Sequence, residues 1–236
     1  MMQKSLVLGI ETSGTATGVA LASGGKVLAE LTEGSGCGHN EVLLPLLDRL
    51  FKSTATDVRE LSGVGVDTGP GMFTSLRVGT STAKGLAVAL RVPTAGVSSL
   101  WALARTARPG SEEVLSLIDA RKHQFYAALY LRGQPAIPPS LRSAEQLVAE
   151  LSSKRTGDSD LVVAGNGAGI CAELLEAGGV HVRLAGIEYP SPGVIALEAG
   201  ERIRKGLADD ATAIEPVYLR RTDAELIREK KLSPGR

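Results

Sequence analysis

Cysteine is almost missing from this 236-residue sequence, and a surplus of charge of either sign is missing altogether. The two cysteines, Cys37 and Cys171, lie far apart and share no CxxC spacing, which argues against a disulfide framework or a structural zinc site. Lys plus Arg and Asp plus Glu both number 26, so no global positive field holds nucleic acid. Any RNA contact must then be local or supplied by a partner. The N-terminal MMQKSLVLGIETS lacks the apolar segment and cleavage site of a signal peptide, and no run approaches the length of a membrane span. A cytoplasmic protein is the expectation. The P-loop ending GK[ST], the dinucleotide GxGxxG and the GxSxG nucleophile elbow are absent too, which removes the commonest sequence signs of nucleotide binding and of a serine hydrolase.

What the chain does have is apolar content, 43% of its positions, enough to build a sizeable core as one large domain or two compact lobes. Short apolar runs at Ser5 to Ile10, Gly18 to Ala22 and Val27 to Leu31, split by SGTAT and SGGK, read as a three-strand meander. A leucine stripe predicts a helix from Asn40 to Lys52. A strand at Leu61 to Val66, a helix at Phe73 to Leu90, a strand at Pro93 to Val97 and a helix at Ser98 to Thr106 follow. After RPGSEE the pattern recurs more weakly: strands at Val114 to Ile118 and Gln124 to Leu131, a capped helix opening SAEQLVAEL, then alternating strands and helices to Lys205. The expectation is an α/β fold of two lobes, each a βββαβαβα unit, with the cleft between lobes as the usual ligand site. The boundaries are 1–108 for the N-terminal lobe, 109–221 for the C-terminal lobe and 222–236 for a charged tail.

Residues that could carry chemistry are few. Glu11, Thr12, Ser13 and Gly14 place a carboxylate and small hydroxyls at a strand-to-strand turn, where two-lobed phosphotransferases receive phosphate. A plain hairpin turn with a solvated edge carboxylate fits better, because no partner acid or lysine stands nearby in sequence. Cys37, His39 and Glu41 invite a metal, but their spacing does not place two ligands on one helical face, and His39 reads as a helix-cap residue. His123 and His181, on or beside strands, read as structural. Gly69, Pro70 and Gly71 form a tight turn before a helix, so their N–H groups offer an unspecific anion loop.

The helix after that turn is built from small residues. Ser75, Gly79, Ala83 and Ala87 make one i, i+4 row, and Thr82, Gly85 and Ala89 lie near a second, with Arg77, Ser81 and Lys84 as the polar ridge. Interior glycines cost roughly 1 kcal/mol each relative to alanine, which close packing offsets. The helix is either sandwiched inside its own lobe or, with the leucine-rich helix at Asn40 to Lys52, offered to another subunit.

The ordered segments GIETSGTATGVAL, HNEVLLPLLDRLF, GPGMFTSLRVGTSTAKGLAVAL, VPTAGVSSL, LIDARKHQFYAALY and EPVYLRR closely resemble the TsaB (YeaZ) family over nearly the whole chain. The resemblance implies an actin-like, sugar-kinase-like fold, of the duplicated ribonuclease H-like type. It implies a role in making N6-threonylcarbamoyladenosine next to the anticodon of tRNA. It further implies a non-catalytic scaffold, without cofactor, that pairs with a TsaD-type transferase, receives a TsaE-type ATPase, reaches tRNA through the complex, and forms homodimers when the partner is missing. The transferase paralogue holds metal through an HxxxH motif; Ser99 and Leu103 stand at the corresponding positions here, so the resemblance implies no metal site. On the same basis Leu43, Leu47, Leu50, Arg77, Gly79, Ala83 and Leu86 are the expected interface residues. Met72 and Ser75 depart from the GPGSFTGLR usual in relatives, which weakens the anion loop, and Glu11 stands where many have Asp. A self-associating regulator or protease adaptor, and a nucleotide- or metal-dependent, glycoprotease-like enzyme of the same fold, are the alternatives.

Overall fold

The computed structural model describes residues 5–34, 38–107, 113–154 and 160–220. Two five-stranded sheets carry it. The first takes β1 (Leu6–Glu11), β2 (Thr17–Ser23), β3 (Lys26–Glu33), β4 (Gly63–Gly69) and β5 (Thr94–Ser98) in the order β3-β2-β1-β4-β5. The second takes β6 (Glu113–Asp119), β7 (Gln124–Leu131), β8 (Gln134–Ser143), β9 (Leu161–Ala164) and β10 (Val182–Leu184) in the order β10-β9-β6-β7-β8. Each sheet is an antiparallel meander whose first strand also pairs in parallel with the fourth. The helices α1 (His39–Ser53), α2 (Phe73–Leu90) and α3 (Ser99–Ala107) belong to the first half, and α4 (Ala144–Lys154), α5 (Ala168–Ala177) and α6 (Pro192–Arg204) to the second. The expected duplication is therefore present, element for element.

The third strand of the second meander, β8, has no counterpart in the sequence reading. Its Pro135, Pro138 and Pro139 argue against a strand, yet β8 is an edge strand, where a missing N–H costs no ladder bond on the open side. The capped helix at Ser143 appears as α4: Ser143 N donates to Gln146 Oε1 at 2.9 Å while Gln146 N donates to Ser143 Oγ at 3.3 Å.

The two halves exchange their last helices. α1 and α2 cover one face of the first sheet, and the other face is covered by α6 from the second half. α3 correspondingly lies on the second sheet, where Leu100, Leu103 and Ala104 pack with Val114, Ile118 and Val162. Glycine makes the α6 contact close: a Cβ on Gly9 would lie 2.3 Å from the Pro192 carbonyl oxygen, and one on Gly65 2.4 Å from the Ala199 methyl. Where α3 and α6 meet, Glu198 accepts from Trp101 Nε1 and from Arg105 Nε, each at 3.0 Å. Among the described residues no helix is long and apolar enough to cross a membrane.

Candidate functional site

The β1–β2 hairpin and the turn between β4 and α2 lie against each other at one end of the first sheet. Gly69 has φ +99°, a conformation that side-chain-bearing residues rarely adopt, and its bond to Pro70 is cis. A Cβ on Gly71 would stand 2.5 Å from the Ser13 carbonyl oxygen, which instead accepts the Met72 N–H at 2.8 Å. The glycines thus let the two loops touch backbone to backbone.

Beneath the loops lies a relationship the linear sequence hides. Glu11, the last residue of β1, and Asp67, on neighbouring β4 one step past the Ile10–Val66 pair, are 1% and 0% exposed and act on each other's carboxyls. Glu11 Oε1 accepts from Ser13 N at 2.7 Å and Ser13 Oγ at 2.6 Å. Asp67 Oδ1 accepts from Gly69 N at 2.6 Å and Ser99 Oγ at 2.5 Å. Burial pushes the Glu11 carboxyl up to about 8, reinforced by the Asp67 charge, although the Ser13 bonds oppose it. Burial likewise raises Asp67 to about 6 against its bonds from Ser99 and Gly69. The expectation of a lone, solvated acid at Glu11 is corrected: it has a partner acid, and both are inside. The signal was available, since β1 ends in Glu11 and β4 carries Asp67 near its end, but only the parallel pairing of those strands makes them neighbours.

The N–H groups of Ser13 and Gly69, on which an anion loop at Glu11, Thr12, Ser13, Gly69 and Gly71 depends, are thus already engaged by the chain's own carboxylates. Beside them a cleft of about 280 Å³ opens between the lobes, lined by Gly14 and Met72 on one side and Asp119, Tyr126 and Asn166 on the other. Tyr189 closes part of it. Its hydroxyl is 2.7 Å from Thr15 Oγ1, and its ring occupies the space where a Gly14 Cβ would stand.

The other expected residues are placed as follows. Leu43, Leu47, Leu50 and Ala83 are buried in the first lobe's own core, with Leu86 half-buried against it. Gly79 faces inward, where a Cβ would meet Thr12 Oγ1 at 2.3 Å. Leu43, Leu47, Leu50 and Ala83 thus spend their side chains inside the lobe, because the wide apolar stripe of α1 and the small row of α2 are used against β1, β2 and β4. Arg77 is exposed but engaged: it lies 3.8 Å over the Phe73 ring, and its Nε donates to the Tyr218 hydroxyl at 3.1 Å. The outward side of the packed α1–α2 pair carries instead Leu44, 62% exposed, Val88, 57% exposed, and Gly85, with open space beside it.

His39 is the first residue of α1 and not its cap, which is Gly38. Its Nδ1 lies 2.8 Å from Thr17 Oγ1, it bonds the Gly14 backbone, and burial lowers its pKa. His123 lies in a turn with φ 56°, directly before β7. Of the two positions compared with an HxxxH motif, Ser99 is taken by Asp67 and Leu103 is core. Cys37 and the tail 222–236 lie outside the described residues, as does the 108/109 boundary.

Two duplicated βββαβαβα lobes with exchanged helices and a cleft between them define the actin-like, sugar-kinase-like class of α/β proteins. The chain belongs to the TsaD family, described as tRNA N6-adenosine threonylcarbamoyltransferase, whose model matches residues 33–227. Similar proteins include the tRNA threonylcarbamoyladenosine biosynthesis protein TsaB of Escherichia coli K12, 29% identical with 91% of this chain and 94% of that protein covered. The protein of the same name from Bacillus subtilis is 27% identical over 93% and 96%. The solved structure of YeaZ from Pseudomonas aeruginosa superposes with a TM-score of 0.75 at 27% identity, covering 91% of this chain and all of that one. It is thus to TsaB (YeaZ) proteins that the chain is similar over nine-tenths of its length.

Proposed function

We propose that this protein is an accessory subunit of cytoplasmic tRNA threonylcarbamoyladenosine biosynthesis, binding and activating a TsaD-type transferase together with a TsaE-type ATPase. It performs no transfer itself, meets tRNA through the complex, and self-associates when the transferase is missing. The observation that carries the reading is the exposed apolar surface of α1 and α2, with Leu44 on one and Val88 and the open Gly85 on the other of two helices that already pack together. Large aliphatic side chains next to an open glycine allow a partner helix to approach closely and bury apolar surface. The fates of Ser99 and Leu103 support the accessory role, since neither a hydroxyl committed to Asp67 nor a core leucine replaces an imidazole ligand.

The test combines depletion with reconstitution. Mass spectrometry of tRNA nucleosides after depletion is expected to show loss of N6-threonylcarbamoyladenosine, and the purified chain alone is expected to give no transfer. Unchanged modification on depletion, or turnover by the isolated chain at the rate of the complex, defeats the proposal.

A further inference from the structure

The hydrogen bonds around Glu11 and Asp67 reach one oxygen of each carboxyl only. Glu11 Oε1 takes two donors and Asp67 Oδ1 takes two, but Asp67 Oδ2 is buried with none. A buried, unpaired carboxylate oxygen is costly, and two ionised carboxylates side by side without a cation are costlier still. Among the described residues no cationic side chain acts on either group. The titratable and charged groups of the surrounding elements are turned elsewhere. His39 of α1 is on Thr17 and the Gly14 backbone, and Arg77 of α2 is on Phe73 and Tyr218. On α3 and α6, Arg105 bonds Glu198, and Arg202 bonds the Gly96 carbonyl and Asp209. What faces the pair from α3 is a neutral hydroxyl, Ser99.

We propose that Glu11 keeps its proton at neutral pH and donates it from Oε2 to Asp67 Oδ2, so that a single buried proton latches the β1–β2 hairpin to the turn before α2. Every oxygen of the pair is then satisfied: Oε1 accepts twice, Oε2–H donates once, and Oδ1 and Oδ2 accept three bonds between them. The raised carboxyl of Glu11 agrees with this. Each partner also anchors one loop, Glu11 through Ser13 and Asp67 through Gly69, and the loops are joined by the bond from Met72 N to Ser13 O. The proton accordingly fixes where α2 begins. Removing it places two negative charges at the junction of hairpin and turn, which drives the loops apart.

The test uses the full chain. Infrared spectra of protein labelled with ¹³C at the glutamate side-chain carboxyl, recorded across a pH titration, should show a protonated glutamate band at pH 7. That band should fade as pH rises past about 8, and it should be missing in Glu11→Gln. The amide of Glu11→Gln still donates to Asp67, so its melting temperature should lose the decline with rising pH that the unaltered chain shows. The proposal is overturned if the unaltered chain has no such band at pH 7, a result that needs no variant to fold. It is equally overturned if the band survives in Glu11→Gln, or if MnCl₂ alone abolishes the band and raises the melting temperature, which makes the pair a cation site.

Discussion

Gly79 lies directly over Thr12, so closely that a methyl group in place of its hydrogen would stand 2.3 Å from the threonine hydroxyl oxygen. This contact turns the small-residue row of α2 inward, toward the β1–β2 loop, and leaves Gly85 on another side with nothing within 4 Å of its missing Cβ. The two glycines of one helix consequently answer the same substitution in opposite ways. Gly79→Ala should destabilise by about 1–3 kcal/mol through overpacking. Gly85→Ala should stabilise by about 0.5–1 kcal/mol, because a helix interior favours alanine where space is free. Urea denaturation of both variants measures the contrast, and equal effects contradict the orientation of α2.

Partner binding and folding should separate in the same two helices. Leu44→Arg and Val88→Arg change exposed positions, so each should stay within about 0.5 kcal/mol of the unaltered stability while abolishing co-elution with a TsaD-type transferase. Leu43→Ala, one residue from Leu44 but 1% exposed, should cost about 2–5 kcal/mol. Size-exclusion chromatography of the mixed proteins gives the binding result. Survival of the complex in both arginine variants would rule out this face.

The junction of α3 and α6 has its own reporter, since Trp101 is the chain's single tryptophan and donates to Glu198. Glu198→Ala leaves Trp101 Nε1 and Arg105 Nε without this acceptor, and should cost about 1–3 kcal/mol. Because Trp101 packs on Tyr130 of the second sheet, with ring centroids 5.1 Å apart, its fluorescence should follow the exchanged-helix junction during unfolding. A variant that unfolds at the same urea concentration as the unaltered chain excludes Glu198 as a tie between the halves.

The pH profile should have two limbs of opposite sign. Carboxyls raised on folding bind more protons in the native than in the unfolded state, so stability from the Glu11–Asp67 pair is highest at acid pH and falls as pH rises toward about 8. His39 is lowered, so there the unfolded state binds more protons, and its contribution falls as pH drops below the ordinary histidine value of 6.5. Melting temperatures of His39→Gln should lose only the acid limb, and those of Glu11→Gln only the other. If one substitution flattens both limbs, the two groups do not titrate independently.

The sequence by itself determined the order of elements in the first half, the turns of its meander, the capped start at Ser143 and the small-residue character of α2. Each of these follows from local rules: side-chain periodicity, turn residues and caps act over a few positions. It also showed that Ser99 and Leu103 cannot serve as imidazole ligands, since that depends on residue type alone. It could not show which side of α2 faces inward, because small residues line more than one side and only the approach of Thr12 selects Gly79. The edge role that tolerates the prolines of β8, the exchange of α3 and α6 between sheets, and the burial of Leu43 and Leu47 beside exposed Leu44 were decided by tertiary packing. So was the meeting of Glu11 with Asp67, 56 positions on: parallel pairing of β1 with β4 brings the two carboxyls together, and burial raises both.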